Sequence, residues 1–494
     1  FKSAQRQAVD ALGALYEKAR AELGEKDAEI FSVHQLMAED EDFTDLVSEA
    51  ITDGAEAAKA VRQAGEQCAA MFSAMDDDYM RERAADVRDV AARICRILNG
   101  EAEQTITEPC LIAAEELTPS QTVQFPRAFV QGFLTARGAA NSHTGILART
   151  LGVPAVSQLP VDAQLQGRTA ILNGDEGTLI LDPDEDQLRA AEAGIRARQA
   201  QREALQQLAK LPSVTKDGHA IRLYANLAGT DDLPLLQQSG AEGVGLLRSE
   251  FLYLGRSSYP TEDELFASYK QLVQAMDGRE IIIRTLDIGG DKDAPALGLP
   301  KEENPFMGYR AVRICMDRSD LILAQLRAIL RAAVCGDVRV MFPMIATVTE
   351  LEAMLEYLRQ ADAQLTAEHV PHRADVKVGI MVEVPSAVVM LDQLLELVDF
   401  VSIGSNDLVQ YTFAADRLNE KVSYLNQFMH PAVLRLLHRT ISLTHERGKE
   451  CSLCGEMAGD RVGLAALAIL GLRKFSMSSS KLLQAKHLMS LLEL

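Results

Sequence analysis

Arginines and carboxylates stand where apolar runs end in the second half of the chain. Arg248 follows the run 243–247, and Arg284 follows Ile281-Ile282-Ile283. Glu383 sits between Val382 and Val384, with Pro385 forcing an exit. Further on come Gly404-Ser405-Asn406-Asp407, then Asp416-Arg417, then Cys454-Gly455-Glu456. A charged side chain inside an apolar strand is costly to bury unless it is paired or binds something. Arg284 and Glu383 could satisfy one another in an internal salt bridge. The recurrence of both charge types at several strand ends favours a site instead. Two or three guanidiniums form a planar donor set suited to phosphate or carboxylate oxygens. Glu383 and Asp407 suit Mg²⁺, which takes few protein ligands and leaves positions for substrate oxygens. Together these residues describe a site for a small polyanion and a hard cation.

Cys454 lies three residues after Cys451, and no second such pair accompanies it, so structural zinc is a weak reading. Three apart on a strand puts the two sulfurs on opposite faces. A lone thiol at a strand end could donate a proton or fill space, and spacing alone leaves both open. In the first half, Gly138-Ala139-Ala140-Asn141-Ser142-His143-Thr144-Gly145-Ile146 places a histidine where a small-residue loop becomes a helix. His143 could be a helix-start hydrogen-bonding residue. A helix N-terminus also favours an anion, so a phosphorylated imidazole would be stabilised there. That makes His143 the candidate nucleophile.

Positioning these residues requires regular elements. Between residues 216 and 494 the spacing predicts strands at 221–227, 243–247, 281–285, 338–342, 376–382, 400–403, 450–453 and 474–477. Eight strands separated by helical segments predict a (β/α)8 TIM barrel, whose sites collect on the C-terminal face. A doubly wound sheet is the competing architecture. Residues 109–183 read as a small α/β domain, with strands at 111–114, 129–134, 170–172 and 178–181 and a helix from about Ser142 to Leu151. Asn173-Gly174-Asp175-Glu176-Gly177 forms its turn. Residues 184–215, rich in Ala, Gln, Arg and Glu, predict a linker helix. Residues 1–108 contain no Pro and carry apolar residues at helical spacing, as in Val87, Val90, Ile94, Ile97 and Leu98, which predicts a helical hairpin or bundle. The fold class expected is therefore multidomain α/β.

The chain has 494 residues and a formal charge of −21, ordinary globular composition for two to four domains. Residues 1–108 hold 24 acidic and 12 basic residues, over half of the surplus. Such a surface is commonly a solvated face; partner docking is the functional alternative. An acidic surface repels nucleic-acid phosphates and anionic lipids. No apolar run reaches the length of a membrane helix, and the polar stretch 1–10 is no signal peptide. Seven scattered cysteines suit a reducing, cytoplasmic compartment. The chain opens at Phe1, which suits a start inside a longer protein.

The motifs, taken in order, resemble those of Enzyme I, the phosphoenolpyruvate–protein phosphotransferases of bacterial sugar phosphotransferase systems. The segments are Glu82-Arg83-Ala84-Ala85-Asp86-Val87-Arg88-Asp89, Ser142-His143-Thr144 with Ala148-Arg149, and Leu247-Arg248-Ser249-Glu250-Phe251-Leu252. Arg284-Thr285-Leu286-Asp287-Ile288-Gly289-Gly290-Asp291-Lys292, Phe342-Pro343-Met344-Ile345, Glu383-Val384-Pro385, Gly404-Ser405-Asn406-Asp407-Leu408 and Cys454-Gly455-Glu456-Met457-Ala458-Gly459-Asp460 continue the series. The resemblance implies a swivelling phosphohistidine domain carrying His143, an α-helical insertion domain that docks the phosphocarrier HPr, and a barrel that binds phosphoenolpyruvate with Mg²⁺ and forms a homodimer. It also implies roles. His143 attacks the phosphorus, while Arg248, Arg284 and Arg417 hold phosphate and carboxylate, with Asn406 and Asp407 assisting. Glu383 and Asp407 hold the metal, and Cys454 protonates the leaving enolate to give pyruvate. Arg310, after Gly308-Tyr309, adds a phosphate contact. A histidine that visits two sites accounts for a long linker helix.

The sequence departs from the family pattern at Asn141 and Gly145, which flank Ser142-His143-Thr144, and at Val409. A Gly-rich N-terminal segment that supplies a strand to the phosphohistidine domain in the family does not appear. Two alternatives remain. One is an ATP-using relative such as pyruvate phosphate dikinase or phosphoenolpyruvate synthase, which needs an ATP-grasp domain that the short helical region before Pro109 does not offer. The other is a non-catalytic regulatory paralogue.

Overall fold

The computed structural model describes residues 1–23, 25–74, 78–100, 106–115, 117, 125–126, 128–137, 145, 148, 152–254, 256, 258–290, 297–299 and 302–494. The chain forms two compact units, Phe1–Arg196 and Ala197–Leu494.

The first unit opens with five helices: α1 (Lys2–Leu23), α2 (Glu25–Glu39), α3 (Glu41–Thr52), α4 (Ala57–Ser73) and α5 (Asp78–Leu98). In α1, Ala4, Ala8, Leu12, Leu15 and Ala19 recur every three or four residues and are buried together. Phe31, Phe43, Val47, Val61, Val90 and Ile94 complete that core from the other helices. Gly65 lets α4 and α5 approach closely, since a Cβ there would lie 2.5 Å from the Ala91 methyl. Asp40 caps α3, its carboxylate accepting from the Phe43 N–H at 2.9 Å. Gly54 and Gly100 adopt φ of 93° and 66° after their helices.

A small α/β part follows. β1 (Cys110–Ala114), β2 (Val130–Thr135) and β3 (Ala155–Val156) make a parallel three-stranded sheet, and β4 (Ala170–Asn173) pairs antiparallel with β5 (Thr178–Leu181). Asn173 accepts from the N–H groups of Asp175 and Glu176 and closes the predicted turn. β3 was not foreseen; its two residues join the sheet opposite Phe133 and Leu134. Most of the helix expected at 142–151 lies outside the described residues.

Helix α6 (Glu185–Leu208) buries no residue along its 24 positions. Its start is closed reciprocally: Gln187 N–H donates to Asp184 and Asp184 N–H donates to the Gln187 side chain.

In the second unit eight parallel strands close a barrel in the order β10-β11-β12-β13-β6-β7-β8-β9. They are β6 (Arg222–Leu227), β7 (Val244–Arg248), β8 (Ile281–Arg284), β9 (Val338–Phe342), β10 (Lys377–Val382), β11 (Phe400–Ile403), β12 (Glu450–Leu453) and β13 (Lys474–Ser478). The barrel settles the architecture against the doubly wound sheet. Alternation sorts the side chains. Ile281, Ile283, Val340, Ile380, Val382, Val401 and Leu453 pack in the large core. Leu246, Ile282, Met341, Met381, Phe400 and Cys454 form a separate cluster. This second set has the opposite strand parity, so it plugs the barrel interior. At the strands' N-terminal ends, Arg339, Lys474, Glu280 and Glu450 join in one ion-pair network. The two cysteines three apart separate as expected: Cys451 faces the outer core and Cys454 the interior.

Candidate active site

Above the apolar plug, the C-terminal ends of the strands carry charge. Arg284 is the last residue of β8, with the interior parity of Ile282. Its guanidinium contacts Glu250 at 2.5 Å and Asp287 at 3.0 Å. Asp287 gives its other oxygen to Arg310 at 2.9 Å. Arg310 reaches Asp407 at 3.3 Å, and Arg417 lies 3.6 Å from the same carboxylate. Glu250, Arg284, Asp287, Arg310, Asp407 and Arg417 thus form one file in which the sign alternates at every step. The Arg284–Glu383 salt bridge left open by the sequence is not what forms: Arg284 is engaged by Glu250 and Asp287.

Glu383 leaves β10 one residue past its end and is 1% exposed. Pro385 starts a short helix directly behind it. Its Oε1 accepts from the backbone N–H of Met344 at 2.7 Å. Burial pushes its carboxyl up to about 8, and the neighbouring Asp407 and Asp287 carboxylates push the same way. Burial opposes charge on Arg284 and Arg310 as well, but the adjoining carboxylates outweigh it and hold both guanidiniums above their ordinary value. Both are permanent cations here.

The surrounding elements fix these groups. Ser249 donates to the Arg284 carbonyl at 2.6 Å, and Gln325 donates to Ser249 while accepting the Leu286 N–H. On the helix Ser405–Phe413, the Tyr411 hydroxyl accepts from Arg310 and donates to the Phe306 carbonyl. Gln410, on the same helix, accepts the Arg417 N–H. Phe306 lies under both Arg310 and Arg417, with guanidinium carbons 5.8 and 5.6 Å from its ring centre. Asn406 donates through Nδ2 to the Glu456 carboxylate at 3.4 Å and accepts the Glu456 N–H through Oδ1 at 3.0 Å. Cys454 is 3% exposed, its Sγ 3.7 Å from the Ile403 carbonyl, and burial pushes its thiol up. At neutral pH it carries its proton.

Among the described residues, several polar atoms around this mouth have no hydrogen-bond partner: Arg284 Nε, Arg310 Nε, Thr285 Oγ1, Ser405 Oγ and Asp407 Oδ1. Buried polar groups are normally satisfied, so this cluster of exceptions fits a site that receives a polar ligand. Among the described residues no group of three or more His, Cys, Asp and Glu is placed to hold a metal. The pair Glu383–Asp407 fits Mg²⁺ on its chemistry. A Cβ on Gly404 would lie 2.7 Å from Glu383 Oε2, so the glycine keeps that oxygen clear, and one or two carboxylates suffice where substrate oxygens complete the shell.

The structure brings Arg284, Glu383, Asp407 and Arg417 into one neighbourhood, with Arg310 at its centre. Arg248, at the end of β7, lies in ladder register with Arg284. His143, Asn141, Ser142 and Thr144 lie outside the described residues. Glu250 and Asp287 stand within the sequence motifs with no role attached to them there. Their signal was present, since each is an acidic residue within three positions of a strand-end arginine. Gln410, Tyr411 and Met344 act through contacts that no spacing reveals.

The family described as "PEP-utilising enzyme, PEP-binding domain" matches residues 202–494. "PEP-utilising enzyme, N-terminal" matches 1–83, and "PEP-utilising enzyme, mobile domain" matches 106–177. Among curated proteins, the phosphoenolpyruvate-protein phosphotransferase of Bacillus subtilis (strain 168) is 44% identical over 492 residues, covering 98% of this chain and 86% of the relative. The protein of the same name from Priestia megaterium is 44% identical, covering 96% and 84%. That of Listeria innocua is 42% identical, covering 100% and 87%.

Proposed function

We propose, for a chain that belongs to the family of phosphoenolpyruvate–protein phosphotransferases, that the mouth of its barrel takes the phosphoryl group from phosphoenolpyruvate and that His143 carries it onward. As a member of that family the protein is a phosphotransferase that uses phosphoenolpyruvate and serves a phosphocarrier partner. The acceptor we propose is a histidine of HPr, docked on the helical region 1–108, as the first step of sugar uptake. The proposed setting is the cytoplasm, where a reducing environment keeps thiols such as Cys454 free; among the described residues no cysteine is in a disulfide. No described helix is long and apolar enough to cross a membrane. A homodimer through the barrel is part of the same proposal.

The observation that carries the reading is the alternating charge file beside Glu383 and Cys454. Phosphoryl transfer depends mostly on positioning and charge neutralisation. On this reading Arg248, Arg284 and Arg310 hold phosphate oxygens, and Arg417 with Asn406 holds the carboxylate. The carboxylates of the file keep the guanidiniums apart and fixed before substrate arrives. Mg²⁺ held by Glu383 and Asp407 would supply charge neutralisation at the phosphate. His143 attacks the phosphorus in line, and the enolate of pyruvate leaves. Cys454, protonated at neutral pH, gives its proton to the methylene carbon, which traps the product as the ketone.

The test is an assay of the full chain with phosphoenolpyruvate and purified HPr, with and without Mg²⁺. Label from phosphoenolpyruvate should appear on the protein and then on HPr, and disappear in His143→Ala. Phosphoenolpyruvate formed from ATP, phosphate and pyruvate without HPr would favour the dikinase alternative. Absence of any label would favour the regulatory one.

A further inference from the structure

Cys454 stands one residue past the end of β12, where the ladder gives it little support on one side. β12 pairs with β11 from Phe400↔Glu450 through Ile403↔Leu453, but with β13 only at Leu453↔Phe475. The Cys454 N–H donates to the Ile403 carbonyl at 3.1 Å, which ties the residue to β11. Its carbonyl is tied from the other direction by a side chain. Asn226, near the end of β6 and beyond β13, donates through Nδ2 to that carbonyl at 3.0 Å.

Asn226 is itself oriented. Its Oδ1 accepts from the Ser476 hydroxyl at 2.5 Å, and the same hydroxyl lies 3.1 Å from the Ala225 carbonyl. Reversing the amide would set its oxygen against the Cys454 carbonyl, so the network allows one orientation. Ser476 has room because residue 245 on β7 is glycine; a Cβ there would lie 2.5 Å from the Ser476 Oγ. On the far side of the peptide, a Cβ at Gly455 would run into Ser405, so the 454–455 linkage is packed against the helix Ser405–Phe413.

We propose that Asn226, braced by Ser476, is a positioning residue for proton transfer by Cys454. A cysteine has one side-chain torsion before its sulfur, so the direction of the thiol is set by the backbone that carries it. Locking both the N–H and the C=O of Cys454 fixes that direction across the barrel interior. In the forward step the S–H bond breaks, its proton forms the C3–H bond, and the enolate C2–O becomes the ketone, leaving a thiolate. In reverse the thiolate takes a methyl proton from pyruvate, giving the thiol and the enolate; the thiol exchanges that proton with D₂O and returns a deuteron to C3, regenerating the thiolate and the ketone. A displacement of about 1 Å in a reacting group costs on the order of 10²-fold in rate.

The inference rests on the reading of Cys454 as the proton carrier, and the experiment separates the two. Exchange of pyruvate methyl hydrogens with D₂O is followed by NMR with the full chain and Mg²⁺, in wild type, Asn226→Asp, Ser476→Ala and Cys454→Ser. Asn226→Asp keeps the shape but cannot donate to the Cys454 carbonyl. It should lose at least about 10-fold in exchange, with KM for phosphoenolpyruvate within about twofold of wild type. Ser476→Ala should lose less and in the same direction. It decides the matter alone if Asn226→Asp does not fold. Wild-type exchange in the variants with loss in Cys454→Ser would overturn the role of Asn226. A matching rise in KM would also overturn it, because general disorder of the mouth would then explain the loss. Wild-type exchange in Cys454→Ser would overturn the proton-carrier reading and this inference with it.

Discussion

Glu383 accepts its 2.7 Å hydrogen bond from the N–H of Met344, whose φ of 58° lies in the left-handed region. A non-glycine residue held there costs on the order of 1–3 kcal/mol and persists only where its surroundings over-determine it. Here the bend after β9 turns a backbone donor toward the neighbouring strand and aims a buried carboxylate. One oxygen of Glu383 is fixed by this bond, and the other lies toward the space that Gly404 leaves.

Gly404→Ala should therefore damage cation binding without unfolding the barrel. The backbone at 404 has φ −90° and ψ 81°, so alanine meets no left-handed strain. Its Cβ would stand 2.7 Å from Glu383 Oε2 and 2.9 Å from Glu383 Cβ, and the carboxylate must move. We expect Mg²⁺ affinity to fall about 10–100-fold, the size of effect seen when a ligand loses its orientation. Glu383→Gln, which keeps the Met344 bond, should remove Mg²⁺ dependence and turnover together. Titration of pyruvate release with Mg²⁺ checks both. Unchanged half-saturation in Gly404→Ala would move the cation elsewhere.

Glu250 is fully buried and engages Arg284 at 2.5 Å. Glu250→Gln leaves the shape and removes the charge. Arg284 keeps Asp287, so the barrel should fold, but the guanidinium gains freedom where it must be fixed. The expected result is a rise in KM for phosphoenolpyruvate of about tenfold, with a smaller change in kcat, since removing one of two partners weakens ground-state binding first. Steady-state kinetics give both numbers. A fall in kcat alone would place Glu250 in the chemistry rather than in support of Arg284.

How much of this was legible in the sequence depended on what each residue touches. The strands Val338–Phe342, Phe400–Ile403 and Glu450–Leu453 matched at both ends, because Asp337, Asp399 and Lys449 precede them and Pro343, Gly404 and Cys454-Gly455 follow. The reading starts three strands one residue early, at Ile221, Gly243 and Val376, because the pattern of uncharged residues reaches back past the ladder partners Arg222, Val244 and Lys377. The two-residue strand at Ala155–Val156 has no pattern to find. The strand-end charges were visible singly, but their pairing was not: the partners of Arg284 and Arg310 are chosen by barrel stagger, which juxtaposes residues as far apart as Arg310 and Asp407.

Cys454→Ala should separate binding from turnover. The thiol belongs to the cluster of Leu246, Ile282, Met341, Met381 and Phe400, so alanine leaves a small void but no unpaired charge. Phosphoenolpyruvate should still bind with a dissociation constant within a few-fold of wild type, while steady pyruvate release falls by about 10²-fold or more, as expected for loss of a general acid. Equilibrium dialysis and coupled pyruvate detection read the two quantities. Undiminished pyruvate release would return Cys454 to the space-filling role that its spacing also allowed.

The opposite end of the barrel gives a pH prediction. Burial alone would push the Glu450 carboxyl up, but Lys474 and Arg339 outweigh it and hold it at about 2 against an ordinary 4.5. The unfolded chain then binds the proton more readily than the folded one, so this contribution to stability is complete above pH 4.5. It is lost as the pH falls from there toward 2. Glu450→Gln should melt below wild type at pH 7, with the gap narrowing between pH 5 and pH 3. Lys474 and Arg339 retain Glu280 in the variant, which limits the damage. With 36% of the Glu450 side chain exposed, screening holds the effect to about 1 kcal/mol, or about 2 °C for a barrel of this size. Thermal melts at pH 7, 5 and 3 check it. A gap that stays constant with pH would mean that packing at Glu450, rather than its charge, supports the barrel floor.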